Sequence, residues 1–265
     1  MRGDEALLRR ALAALGPYRP ELIVVGAWAH RFFERHPLAQ PLAHPTLMTE
    51  DADLASPAKL ATIGDPIPKR LEDADFERRM TGVEQLPVMK FFARENDVFY
   101  VEFIAPLIGG DSDRTGKPRT LVEVGGATAQ LLRHVDLLRF EPWELDLGDG
   151  VIARIANPAS YLAQKVLTRR EGAGRHKYGK DLLYLHDTLQ MFGPRLADLR
   201  ELGARVLAQL SAKHAAKVRN FNFTSYPERL AQAAEIAHST GRSSPPDAAA
   251  IADTCRVGFR MLFSL

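Results

Sequence analysis

Two acidic residues two positions apart, Asp51 and Asp53, sit in the stretch Thr49-Glu50-Asp51-Ala52-Asp53-Leu54. In an extended strand side chains repeat every second residue, so both carboxylates project from one face. Carboxylate oxygens paired in this way are ligands for a hard divalent cation such as Mg²⁺. A third acid, Glu102, stands in Tyr100-Val101-Glu102-Phe103-Ile104. It joins the set if that strand neighbours the first; the same alternation also lets it face solvent. Upstream, Val24-Val25-Gly26-Ala27-Trp28-Ala29 reads as a strand, a glycine turn and a helix start. Glycine lets the backbone come close to a ligand, and the free N–H groups opening a helix attract phosphate.

A second block carries the opposite charge. From Lys165 to Lys180 there are six basic residues, Lys165, Arg169, Arg170, Arg175, Lys177 and Lys180, against one acid, Glu171. Such a cluster could grip a triphosphate or an RNA backbone. Lys165 is the leading candidate, since a helix could hold it toward the carboxylates. Arg175 and Lys180 follow as nucleotide contacts, and Asp181 could orient Lys180 or a ribose hydroxyl. Arg169, Arg170 and Lys177 read equally well as a solvated helix end. Between Glu50 and Glu77, by contrast, eight acids outnumber three bases. The formal net charge of +2 is therefore a difference between segregated populations. It excludes a uniformly basic nucleic-acid binder but allows positive charge confined to one wall of a cleft.

The elements that must position these residues follow from hydrophobic spacing. Ala6 to Leu15 repeat at helical intervals and stop at Gly16-Pro17. Glu21 to Val25 reads as a buried strand, Ala27 to Arg35 as a helix, and Leu47 to Leu54 as a second strand. A helix is expected around Pro57 to Ile63, and a charge-rich, partly helical segment from Pro66 to Met80. Val88 to Ala93 and Val98 to Ile104 alternate as strands, and Pro106 to Pro118 is a glycine-bearing loop. Ala129 to Leu138 is expected to be helical. Trp143 to Leu147 and Val151 to Ile155 flank Gly148-Asp149-Gly150, a hairpin signal. From Pro158 onward the pattern is helical. The expected fold is α+β: a small mixed sheet with flanking helices over residues 1–156, then an all-helical part, 157–265, completing the cleft.

Composition fits this picture. The 265 residues are 46% hydrophobic and 26% charged, which excludes a disordered or fibrous chain. A single cysteine, Cys255, rules out an intramolecular disulfide and points to a reducing cytoplasm; its apolar neighbours make it a buried structural thiol. The charged residues through Met1 to Gly16 argue against a signal peptide. The longest apolar stretch is far shorter than the ~20 residues that span a bilayer, so no membrane association is expected.

The glycine turn at Gly26, the Asp51-x-Asp53 strand and the later acidic strand resemble the nucleotidyltransferase superfamily, the polymerase-β-like fold. The resemblance implies transfer of a nucleoside monophosphate from an NTP by two-metal chemistry, with Mg²⁺ or Mn²⁺. It implies Asp51, Asp53 and Glu102 as metal-binding, catalytic carboxylates, with Glu102 a candidate base. It implies Gly26 and Ala27 at the triphosphate, with Lys165, Arg175, Lys180 and Asp181 at the nucleotide and Lys165 also catalytic. The run Asn157 to Lys165 followed by Lys180-Asp181, and Phe103-Ile104-Ala105-Pro106-Leu107 after Glu102, resemble AbiEii-type toxin nucleotidyltransferases. The likeness spans Leu22 to Leu189. It implies an RNA, protein or small-molecule acceptor and, for a toxin-like enzyme, an antitoxin-like protein partner. Two departures stand out: Ala27 follows Gly26 where a glycine or serine is usual, and Glu102 replaces an aspartate. They motivate an alternative, a catalytically weak or inactive nucleotide- or partner-binding module on the same fold.

Other signals are weaker. Asp-x-Asp also opens a phosphatase motif with a nucleophilic aspartate, but the polar lead-in Pro45, Thr46, Thr49, Glu50 does not suit it. His134, His176 and His186 have no zinc-ligand spacing. Asn220 to Tyr226 could stack on a base, but packing between helices is the better reading of that patch.

Overall fold

The computed structural model describes residues 2–47, 49–81, 88–168 and 175–264. It divides into two compact units, residues 1–29 with 49–157, and residues 30–48 with 158–265. Among the described residues, no helix is long and apolar enough to cross a membrane.

The first unit contains α1 (Arg2–Ala14), β1 (Ile23–Val24), the opening of α2 (Gly26–Phe32), β2 (Asp51–Ala55), α3 (Ile67–Asp73), β3 (Phe76–Thr81), β4 (Val88–Ala93) and β5 (Asn96–Pro106). It continues with β6 (Leu121–Val124), β7 (Ala127–Leu132), α4 (Val135–Leu138), β8 (Trp143–Asp146) and β9 (Ile152–Ile155). The strands form one mixed sheet in the order β3-β4-β5-β2-β1-β9-β8, with β7 joining β5 and β6 joining β7. Pairs β2/β5, β1/β9 and β5/β7 are parallel. An α+β fold with a mixed sheet and a helical C-terminal region is thus what the chain adopts.

Alternation decides what this sheet buries. Ala52 and Leu54 on β2, Val101 and Phe103 on β5, and Phe91 on β4 are fully buried. Trp28 meets Phe99 edge-on at 6.1 Å, and Phe91 meets Phe103 at 6.0 Å. Each of the larger ones, such as Leu54, Val101 or Phe103, contributes about 1.5–3 kcal/mol of hydrophobic stabilisation. Asp51, Asp53, Lys90 and Glu102 take the intervening positions and lie half-buried. A one-residue slip would send the acids into the core, so the core enforces the register.

Two local expectations are corrected. Residues 57–63 are not helical. The Leu60 carbonyl accepts from Gly125 N, and Ile63 N donates to the Tyr18 hydroxyl, each at 2.8 Å, so these backbone groups are satisfied by tertiary partners. The helix begins after Pro66 instead, at α3. Residues 129–138 are not one helix: β7 occupies the first half and α4 only Val135–Leu138. The cause is Gly125-Gly126, a two-residue turn with both φ positive (56° and 85°) that folds β6 against β7 with Val124 opposite Ala127. The charge-rich segment from Pro66 to Met80 is partly helical as expected, through α3, and its remainder enters strand β3, which ends the strand order, where charged residues are tolerated and guard an open edge.

The second unit takes the rest of α2 and adds α5 (Pro158–Leu167), α6 (Arg175–Phe192), α7 (Arg200–Ala208), α8 (Ala212–Arg219), α9 (Pro227–Ser239) and α10 (Ala248–Phe263). Asp247 caps α10, accepting from Ala250 N at 2.7 Å. Gly258 lets α10 approach α6: a Cβ there would lie 2.6 Å from Leu189 Cδ2. Cys255 is fully buried. Phe223 is buried between Phe221 and Phe259, so that aromatic patch includes helix packing. At the centre, Asp187 is fully buried and accepts from Arg242 Nη1 and Nη2 at 2.9 and 2.7 Å. His186 Nδ1 lies 2.9 Å from the same carboxylate.

Candidate active site

Parallel pairing of β2 with β5 sets Asp51 beside Tyr100 and Asp53 beside Glu102. Each of Asp51, Asp53 and Glu102 offers a carboxylate oxygen, and the three oxygens lie within 4.8 Å of one another. Oxygens no farther apart than this can share a hard divalent cation, whose metal–oxygen distances are ~2.0–2.6 Å. The donor set is all oxygen, which suits Mg²⁺ or Mn²⁺ rather than a thiolate-preferring metal.

Gly26 stands over this cluster. Val25 N donates to the Asp53 carbonyl at 3.1 Å, which ties the turn to β2. Gly26 has φ +64°, and a Cβ at this position would fall 2.4 Å from Asp53 Oδ2. Only the missing side chain lets the turn pass so near the carboxylate. Ala27 follows with its side chain almost wholly buried.

Two residues join the site that the sequence did not single out. Lys90, on β4, is paired in register with Glu102, and its Nζ lies 3.5 Å from Glu102 Oε2. The same ammonium sits 4.0 Å from the Tyr100 ring centroid. Burial disfavours its charge, but Tyr100 and Glu102 outweigh that and hold the ammonium above its ordinary range. Burial likewise pushes the Tyr100 phenol up. Lys90 partly neutralises three like charges that would otherwise repel across a few ångströms.

In the second unit the basic block is arranged differently from its expected pairing. Asp181 bonds Lys165 Nζ at 2.5 Å. Lys165 also lies over the rings of Tyr161 (5.5 Å) and Tyr184 (5.1 Å), and Lys180 over Tyr184 at 5.8 Å. Arg169 and Arg170 lie outside the described residues, as do the side chains of Arg175 and Lys177. His186 serves the Asp187 carboxylate. Among the described residues, the cluster of His, Cys, Asp or Glu suited to a metal is Asp51, Asp53 and Glu102.

Comparison with known proteins adds an independent observation. A family model described as Nucleotidyltransferase matches residues 5–208. Among solved structures, a protein from H. pylori, described as a candidate nucleotidyltransferase, aligns over 98% of this chain and 93% of its own, at 12% identity and a TM-score of 0.46. JHP933 from Helicobacter pylori aligns over 98% of this chain and 90% of its own, at 13% identity and a TM-score of 0.44. No curated protein matches.

Proposed function

This chain belongs to the nucleotidyltransferase family, and on that premise we propose that it moves a nucleoside monophosphate from an NTP to a hydroxyl acceptor, using Asp51, Asp53 and Glu102 to hold Mg²⁺ or Mn²⁺. The convergence of those three carboxylates beneath the Gly26 turn carries the reading. When bound, the metal supplies charge neutralisation for the triphosphate and activation of the acceptor hydroxyl. Asp51 and Asp53 hold their oxygens on one strand face, so both can engage one cation. Glu102 adds the third oxygen, and Lys90 limits the repulsion within the set. Gly26 and Ala27 keep side chains small where phosphate oxygens would approach. Lys165, Arg175 and Lys180 are assigned as cations for the nucleotide phosphates, with Asp181 orienting Lys165.

The decisive experiment incubates the full chain with each NTP, labelled at the α-phosphate, with Mg²⁺ and either total RNA or lysate protein. A labelled product is expected, and Asp51→Ala or Asp53→Ala should abolish it. No product with any NTP, together with no NTP binding by calorimetry, would overturn the reading. In the toxin-like form of this proposal, induced expression arrests bacterial growth and Asp53→Ala relieves the arrest.

A further inference from the structure

Sites that use two metal ions hold them about 3.5–4 Å apart, and each ion draws on carboxylate oxygens of its own. Here one flank of the carboxylate cluster already carries a cation. Lys90 and Glu102 face each other across the β4/β5 pairing, and the Lys90 ammonium lies 3.5 Å from Glu102 Oε2. The contact is shielded, with the Lys90 side chain 21% exposed and that of Glu102 16%. Register holds the ammonium in place: the next residue, Phe91, is fully buried on the opposite face and meets Phe103 edge-on at 6.0 Å. The Tyr100 ring, 4.0 Å from Nζ, adds a cation–π contact. Arg79, beside Lys90 on β3, is engaged elsewhere: it bonds Glu77 at 2.8 Å and lies over the Phe92 ring at 4.6 Å.

Charge points the same way. Without nucleotide, three carboxylates and one ammonium carry a net charge of −2, which one divalent cation balances. A second divalent ion drawing on Glu102 would meet the ammonium at close range, where a partly buried site screens like charges poorly. A lysine ammonium is itself a compact point charge with three donors, suited to sit beside oxygens where a metal ion would. We propose that Lys90 stands in for a second metal: the site binds one divalent cation, and the Lys90 ammonium supplies the other positive charge on the Glu102 side. The inference rests on nucleotidyl transfer at Asp51, Asp53 and Glu102. It replaces the two-metal arrangement expected from the resemblance with one ion and one lysine.

The test counts ions on the full chain. An NTP analogue with a methylene group between its α- and β-phosphates is added, and Mn²⁺ is titrated in. Electron paramagnetic resonance separates bound from free Mn²⁺, and calorimetry follows the analogue. The wild type should take up one Mn²⁺ per chain and give the spectrum of an isolated ion. Lys90→Met keeps the aliphatic stem and removes the charge. It should take up two Mn²⁺, with the broadened spectrum of ions about 3.5–4 Å apart. Lys90→Arg restores a cation and should return the count to one. Two Mn²⁺ on each wild-type chain would overturn the inference while leaving nucleotidyl transfer standing. A Lys90→Met variant that is folded by circular dichroism and still takes up a single ion would overturn it as well. The wild-type count decides even where a variant does not fold. A wild type that binds neither Mn²⁺ nor the analogue sinks the nucleotidyl-transfer reading itself, and this inference with it.

Discussion

At Gly26 a single methyl group would meet the carboxylate that the turn lies against. Gly26→Ala places a Cβ 2.4 Å from Asp53 Oδ2 in a left-handed backbone conformation. That conformation alone costs about 1–2 kcal/mol for a residue with a Cβ. The variant should unfold at lower urea concentration than the wild type and gain less thermal stability from added Mg²⁺. Lys90 makes the converse case. Lys90→Met removes the positive charge 3.5 Å from Glu102 and leaves three carboxylates in close company. Without divalent cation the variant should melt below the wild type, and Mg²⁺ should raise its melting temperature by more than it raises the wild type's. An unchanged Mg²⁺ response would remove Lys90 from the site. The acids were legible in the sequence because Asp-x-Asp needs only the two-residue period of a strand. Lys90 was not, because its place opposite Glu102 depends on a pairing that no local spacing encodes.

Elements show the same division between local and distant causes. Strands β4 and β5, the β8–β9 hairpin and the helices after Pro158 follow from periodicity and punctuation. The stretch Ala129 to Leu138 misled because its apolar spacing suits a helix, whereas two glycines just upstream commit the chain to a hairpin. Gly125 is doubly constrained: its φ is positive, and a Cβ there would lie 2.8 Å from Ile67 Cδ1 and 2.9 Å from Tyr18 Cε1. Gly125→Val should therefore destabilise the protein by about 2–3 kcal/mol, read as a shifted urea midpoint. Asp247→Ala, which removes the α10 cap, should cost about 1 kcal/mol in the same assay. Residues 57–63 failed as a helix for a non-local reason as well, since their partners Tyr18 and Gly125 are far away in the chain.

Across the molecule, buried titratable groups set how stability responds to acid. His30 is fully buried against Tyr184, and among the described residues neither ring nitrogen has a hydrogen-bond partner. Burial lowers its pKa to about 4; Asp187 works to raise it, and Lys165, Arg242 and His44 reinforce the drop. The unfolded chain binds this proton near pH 6.5 and the folded chain only near 4. Stability should therefore fall between those values, by on the order of 3 kcal/mol, and level off below. His30→Phe should flatten that slope in melting curves recorded from pH 7 to pH 4. Asp187 acts lower still. Burial would raise its carboxyl, but the bonds from Arg242 and His186 hold it down to about 2. Its contribution is complete above the ordinary carboxylate range, near pH 4, and is lost as pH falls through about 2. Arg242→Met leaves that carboxylate buried without its guanidinium and should lower stability by on the order of 3 kcal/mol at neutral pH. Asp187 belongs to the stretch that matches the family model, 5–208, while Arg242 lies beyond it. The family match thus ends between the two members of an ion pair. A chimera that grafts the matched stretch onto a relative's C-terminal segment must transplant position 242 with it, or inherit half of an electrostatic bond.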